Sequence, residues 1–387
     1  MTTEKPSICF IAHNAYGVLA SKDTGHAGGI EVQVPLMANW FAEKGYRVSM
    51  ICWSDYFSGD HDVGGVKAIG MCKKNEGIPV FRFIHPRWTS FVGALNRADA
   101  DIYYYNCGDL GLGQLTLWAK RNNKKVMYSI ASDEDCTKEL RGLPQIREKM
   151  LYKLGVKMTQ DIVCQTDRQK QLLLQNYNKK ATTIRMPSQG FQSTSNIEKT
   201  TSSDRPMVLW VGRINPEKRL EWLLSVAEKM PHVDFKIVGA ANTDTEYARS
   251  CVERARAISN VELCGRVAHE DMGKFYHSAD VLCSTSVYEG FPNVFLEAWS
   301  VGVPLVTTFD PDGVVEKHRL GEIADSVESL YSKLTSALVP QNRAKYSNNA
   351  SDYFNNFHHV DKTISQFEKL MLKMVSDKNY QEEMSNV

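Results

Sequence analysis

The chain has 387 residues, 43% of them hydrophobic, enough for two globular cores rather than one. Its formal net charge of +1 conceals an asymmetry. Residues 1–190 hold 25 Lys and Arg against 18 Asp and Glu, a net +7, and the remainder is −6; a basic half suits anionic headgroups or a phosphate-bearing substrate, and equally a plain solvated surface. No apolar run approaches the ~18–20 residues of a membrane span, and the nine scattered cysteines lack C-x-x-C spacing, which excludes a disulfide or zinc framework and points to small core residues in a reducing compartment.

The opening MTTEKPSICFIAHN reads as a first strand over residues 7–12, not a signal peptide. The expected location is cytoplasmic, at most peripheral at the inner face of a membrane. A loop ending in Gly28-Gly29 leads to a helix over 30–44 and a strand over 47–52. Further strands are expected at 102–105, 125–130, 161–164 and 181–186, with helices at 113–121, 143–156 and 166–177. Residues 187–206, rich in Ser and Thr and without periodicity, read as a linker. The alternation then restarts. Strands at 207–211, 234–238, 261–263, 279–284 and 304–308 are expected, with helices at 216–230, 246–258, 269–278 and 293–301. Asn293 reads as the N-cap of the last of these, with Gly302 at its end. Helical patterns at 327–338, 343–354 and 360–375 finish the chain.

Alternating strands and helices imply an α/β fold of two Rossmann-like domains with parallel sheets. The expected domains are residues 1–187 with a returning helix in 358–387, and residues 204–357. Open parallel sheets bind ligands at the carboxyl ends of their strands, so one site is expected in a cleft faced by both sheets.

Two stretches carry candidate chemistry. Residues 286–297, SVYEGFPNVFLE, put Glu289 in a loop and Glu297 a turn inside the following helix. Gly290, Phe291, Pro292 and Asn293 form a tight corner whose backbone N–H groups and positive helix end suit an anion. Two acids beside an anion hole fit a ligand with both phosphates and hydroxyls, such as a sugar nucleotide. Earlier, the strand at 207–211 runs into Gly212-Arg213, and Lys218 follows in the first turn of the next helix. This pair of cations can clamp a diphosphate. Taken alone, each feature is also compatible with ordinary surface.

Together, VLWVGRINPEKRLEWLL (208–224) and LCGRVAHEDMGKFYHSADVLCSTSVYEGFPNVFLEAWSVGVPLVTT (263–308) resemble the donor-binding domain of the retaining glycosyltransferases of family 4, which have the GT-B fold. The resemblance covers most of residues 207–320; the first half is similar only through its first strand, GGIEVQV (28–34) and the helix there. It implies that Arg213 and Lys218 neutralise the nucleotide diphosphate and that Glu297 accepts from the ribose hydroxyls. Glu289, with the backbone of Gly290 to Asn293, would face the transferred sugar. Gly265, Arg266 and Val267 would lie beside the base. Gly28 and Gly29 would let a helix start approach the diphosphate or acceptor. The implied donor is a UDP- or GDP-sugar, with no metal and no other cofactor. The implied acceptor is a glycan or a polyprenyl-diphosphate-linked sugar of surface polysaccharide synthesis; the charge of the basic first domain, read by itself, suits peripheral contact with an anionic membrane. Nucleic acid is not expected as a partner.

One departure concerns the first domain. Family members often carry a His after the strand facing the donor sugar; here residues 125–130 lead into Ala131-Ser132-Asp133-Glu134-Asp135. Asp133 reads either as an acceptor-positioning or proton-accepting group or as a helix cap. His13 and His26 lie in the first loop region and can approach the same cleft. Gly-Leu-Gly at 111–113 imitates a dinucleotide fingerprint, but Thr116 occupies the third glycine position. The alternatives are a nucleotide-sugar epimerase or phosphorylase on the same fold, or a sugar-nucleotide-binding protein without activity.

Overall fold

The computed structural model describes residues 5–22, 24, 28–79, 81–191, 205–241, 245–287 and 289–376. His26 and most of the expected linker lie outside them. The chain divides into two compact units, one running through Pro187 and resuming at Val360, the other spanning Ser188–His359.

In the first unit β1 (Ile8–Ile11) leads through α1 (Tyr16–Leu19) and α2 (Gly29–Glu43) to β2 (Val48–Cys52). A hairpin follows, β3 (His61–Val63) and β4 (Val66–Gly70), and then α3 (Thr89–Ala98), β5 (Ile102–Tyr105) and α4 (Gly111–Arg121). β6 (Lys125–Ser129), α5 (Ile146–Met158), β7 (Asp161–Cys164), α6 (Asp167–Tyr177) and β8 (Thr182–Thr183) complete this stretch. The sheet order is β3-β4-β2-β1-β5-β6-β7-β8, parallel except at β3. Successive side chains of β1 enter opposite cores: Cys9 and Ile11 pack on one face, Ile8 and Phe10 on the other. Both faces are therefore covered, as parallel sheets require.

The hairpin and α3 lie where no element was expected. Gly64 and Gly65, at φ 60° and 86°, supply the positive φ pair of a two-residue hairpin turn. Gly-Leu-Gly at 111–113 has a packing role. A Cβ on Gly113 would sit 2.2 Å from the Leu151 carbonyl oxygen, so only glycine lets α4 cross α5 at backbone contact.

The second unit contains β9 (Met207–Val211), α7 (Leu220–Ala227), β10 (Asp234–Val238), α8 (Glu246–Ala257), β11 (Val261–Gly265) and α9 (Met272–Ser278). It continues through β12 (Val281–Ser284), α10 (Asn293–Ser300), β13 (Leu305–Thr307), α11 (Val314–His318), β14 (Gly321–Ile323), α12 (Val327–Leu338) and α13 (Pro340–Phe357). Its parallel sheet runs β11-β10-β9-β12-β13-β14. Val208 and Trp210 of β9 pack with Leu223, Leu224 and Leu334. The Trp210 indole N–H donates to Thr285 Oγ1 at 3.1 Å, which satisfies its polar edge in the core. The last helix, α14 (Val360–Ser376), belongs to the first unit. Its Ile364, Phe367, Met371 and Met374 join the core around Phe10 and Phe41, and Asp361 accepts from the Trp40 indole at 2.8 Å.

Two expectations are corrected. The helix expected over 216–230 is broken. Pro216–Lys218 forms a separate 3₁₀ turn capped by the Asn215 side chain, and Arg219 adopts φ 45° before α7 begins. The N-cap of α10 is Pro292, and Asn293 is its first helical residue. The proline fixes the extended entry that a side-chain cap would otherwise help define.

Candidate functional site

The site of the second unit is built at the carboxyl ends of β9, β10 and β12. Gly212 N–H donates to the Val238 carbonyl at 3.0 Å and Ile214 N–H to Ala240 at 3.0 Å. The backbone carrying Arg213 is thus laced to the chain leaving β10. Gly239 makes this contact possible: at φ 156°, any Cβ there would lie 1.7 Å from the Gly212 carbonyl oxygen. Arg213 itself is exposed.

Lys218 projects from the 3₁₀ turn onto Glu289, forming an ion pair. Ser286 Oγ donates to the same Glu289 oxygen at 2.8 Å. Lys218 and Glu289 are 71 residues apart in the chain, and three backbone-level contacts hold them together. Val287 N–H donates to the Glu217 carbonyl at 2.8 Å. Thr285 Oγ1 donates to the Lys218 carbonyl. Arg219 braces the other side, its guanidinium donating to the Thr285 carbonyl at 2.9 Å and to Thr308 Oγ1 at 2.9 Å while stacking over Trp222. Burial holds the Arg219 pKa below its ordinary value. The Arg219 and Ser286 roles were not foreseen: no sequence pattern marks an arginine for positive φ.

Beyond Glu289 the chain turns through Gly290. Phe291 is buried, its ring 4.9 Å from His358, so the corner is anchored by a side chain turned inward. Pro292 is buried and Gly290 and Asn293 are partly exposed. The first turn of α10 leaves N–H groups without intrahelical partners, and its dipole favours negative charge there.

Glu297, in the middle of α10, is held by two donors. Tyr276 Oη donates to Oε2 at 2.6 Å, and His269 Nε2 lies 3.2 Å from Oε1. The Phe191 ring stacks on Tyr276 at 5.5 Å and lies 5.4 Å from His269. Gly265 (φ 67°) ends β11, and Arg266 and Val267 follow it in the chain leading to this cluster, with Arg266 exposed. His269, Tyr276 and Phe191 are further site residues that sequence reasoning missed; the first two lie inside the motif-bearing stretch.

The hydrogen bond to Glu297 raises the His269 pKa above its ordinary value of 6.5, against the opposing effect of burial. Because the folded value is the higher one, the stabilisation from this contact is complete below the unfolded pKa and is lost as pH rises through the folded pKa. Glu297→Gln is expected to bring the His269 midpoint down toward 6.5 in an NMR titration of the imidazole protons. An unchanged midpoint would remove Glu297 as the cause.

In the first unit, a cavity of about 210 Å³ opens at the ends of β1 and β5, bordered by the start of α2. His13, Glu31, Trp53, Asn106 and Asp109 line it. Gly28 is the N-cap of α2 and Gly29 its first residue, so both adjoin this cavity along the chain. Asn106 is 2% exposed, and neither its Oδ1 nor His13 Nε2 meets a hydrogen-bond partner among the described residues. Such orphaned groups are costly unless a ligand or water satisfies them. Burial lowers the His13 pKa, partly offset by Asp109. Asp133 pairs with Arg168 at 2.8 Å, and the cap of its 3₁₀ turn is Ser132. Asp135, two residues on, is buried and pushed up to about 6 by desolvation, although the Ser132 and Ala131 N–H groups oppose the shift.

Among the described residues no three His, Cys, Asp or Glu side chains gather as metal ligands would, and no helix is long and apolar enough to cross a membrane.

The two-unit architecture is that of the GT-B glycosyltransferases. The structure of sucrose-phosphate synthase from Thermosynechococcus elongatus matches it with a TM-score of 0.77 over 96% of this chain and all of the other, at 16% identity. Within that fold class, residues 205–339, which make up most of the second unit, match the protein family described as glycosyl transferases group 1. An uncharacterized glycosyltransferase of Methanocaldococcus jannaschii is 33% identical over 124 residues, covering 31% of this chain and 32% of its own length. A D-inositol 3-phosphate glycosyltransferase of Mycobacterium sp. (strain KMS) is 27% identical over 191 residues, 41% of this chain and 44% of its own length. The chain thus matches less than half the length of these curated relatives.

Proposed function

We propose that this protein is a retaining, metal-independent glycosyltransferase of the family 4 type. It takes a sugar from a UDP- or GDP-linked donor and passes it to a glycan or polyprenyl-diphosphate-linked acceptor in surface polysaccharide synthesis, at the cytoplasmic face of a membrane. The observation that carries the reading is the joining of Lys218, Glu289 and Ser286 beside the start of α10, inside the residues matched to the family.

Breaking a glycosyl–phosphate bond builds negative charge on the departing diphosphate and positive charge at the anomeric carbon. Arg213 supplies a planar fork and Lys218 a point charge for the first. An ammonium has three donors, so Lys218 can keep Glu289 and hold a phosphate oxygen at once. Glu289, fixed by Ser286 and Lys218, faces the transferred sugar with the Gly290–Asn293 backbone. Glu297, aimed by Tyr276 and His269, takes the ribose hydroxyls. Gly265, Arg266 and Val267 border the base. The departing phosphate accepts the acceptor's proton on the same face of the sugar, which gives retention. The first unit's cavity seats the acceptor: aromatic Trp53, the Asn106 amide and two carboxylates suit a hydroxyl-rich ring, and Gly28-Gly29 keep its rim open. Asp133 belongs to the same unit as an acceptor-positioning group.

A thermal-shift screen with UDP- and GDP-sugars tests the donor. A ligand bound only by the folded state raises stability by RT ln(1 + [L]/Kd), about 2.7 kcal/mol at 100 Kd. One nucleotide class is expected to raise Tm and the other not. No shift with either would reject the proposal.

A further inference from the structure

Helix α5 is turned inside out relative to an ordinary surface helix. Tyr152, Gly155 and Val156 pack inward. The opposite side should be polar, yet it presents Ile146 at 78% exposure, Met150 at 67% and Leu154 at 36%. Their spacing of four residues places them in one stripe. Arg147 and Lys149 flank the stripe, Lys153 and Lys157 fall along it, and the helix has a single acid, Glu148, whose carboxylate turns back toward the Gln145 N–H at its own cap.

A second exposed apolar group stands beside it. Ile78, Phe81 and Ile84 are 67%, 66% and 60% exposed, in the segment that precedes α3. The Arg147 guanidinium lies 4.6 Å from the centre of the Phe83 ring, which joins the two groups into one surface within the first unit. Large apolar side chains exposed in such a cluster mark an interaction surface rather than chance. Apolar residues ringed by cations match one kind of partner best. The apolar groups enter the boundary between headgroups and acyl chains, and the Lys and Arg side chains meet anionic headgroups.

We infer that α5, together with Ile78, Phe81 and Ile84, forms a docking face for an anionic lipid bilayer. The inference rests on the peripheral-membrane part of the proposed function and is independent of its donor chemistry. An ordinary protein–protein interface would deplete Lys at its centre, whereas here Lys153 and Lys157 are exposed within the stripe's own arc. The face also gives the basic charge of the first half a use. The cations steer the protein to the bilayer, and Ile146, Met150, Phe81 and Ile84 hold it there.

The test is co-sedimentation of the full chain with vesicles of phosphatidylcholine alone and of phosphatidylcholine with phosphatidylglycerol. The protein is expected to bind the anionic vesicles, with affinity falling as salt rises, and to leave the neutral ones largely in solution. I146S/M150S and F81S/I84S, all at exposed positions, are each expected to lose about tenfold or more in vesicle affinity. K153E/K157E is expected to lose at least as much, at about fivefold for each cation removed. Nucleotide binding should be unchanged in all three variants. Wild-type protein that binds nucleotide but ignores anionic vesicles would overturn the inference and leave the donor reading intact. So would vesicle binding that none of the variants weakens, or variants that instead dissolve a self-associated form detected by light scattering without vesicles.

Discussion

Lys218→Ala is expected to lower turnover by about 10²–10³-fold, the usual cost of removing one preorganised group that meets developing charge. The side chain is partly exposed and its ion pair with Glu289 lies near the surface, so stability should change by no more than about 1 kcal/mol. Glu289 keeps its Ser286 donor in the variant and should hold its place. Arg213→Ala should act in the same direction. Its side chain is exposed on a backbone fixed by Gly239, so folding should again be spared. Turnover under saturating donor, measured with circular dichroism as the check on folding, separates these effects. Full turnover in both variants would remove the clamp.

Glu297→Ala should act on affinity first. A carboxylate accepting from sugar hydroxyls is worth about 1.5–3 kcal/mol per charged hydrogen bond, so nucleotide Kd should rise about 10–100-fold. Part of that loss is indirect, because Tyr276 and His269 lose the acceptor that orients them. Tyr276→Phe separates the two contributions. It leaves the carboxylate in place but removes one of its two positioning donors, and should weaken nucleotide binding by a smaller factor. Equal Kd for Glu297→Ala and wild type in calorimetry would take the ribose role away from this residue.

The second unit was the more legible half because its site is written in consecutive residues. Gly212-Arg213 follows a strand directly, and Glu289 through Glu297 spans a single loop and helix start. What stayed hidden there depends on contacts between distant segments. Glu297 meets His269 and Tyr276 from 28 and 21 residues away, and nothing local in HEDMGKFYHS marks those two for a carboxylate. The break at Arg219 was missed because PEKRLEWLL has helical periodicity throughout; tertiary hydrogen bonds to Thr285 and Thr308 override it. In the first unit the Gly64-Gly65 turn between Val63 and Val66 was readable as a hairpin signal and was passed over. The cavity was not readable, since His13 and Asn106 are brought together only by the pairing of β1 with β5. The exposed stripe of α5 was concealed for a different reason: its periodicity is that of a buried face, and only the packing of Tyr152 and Val156 reveals which side points inward.

Calorimetric titration with nucleoside diphosphate against the matching monophosphate bears most directly on the idea that Arg213 and Lys218 grip a pyrophosphate. Wild-type protein should bind the diphosphate of its preferred base at least about tenfold more tightly, as expected for an added charge-assisted contact, and Arg213→Ala with Lys218→Ala should erase that preference while leaving monophosphate affinity nearly unchanged. Equal affinity of the wild type for both nucleotides, or a preference that survives the double substitution, would contradict it.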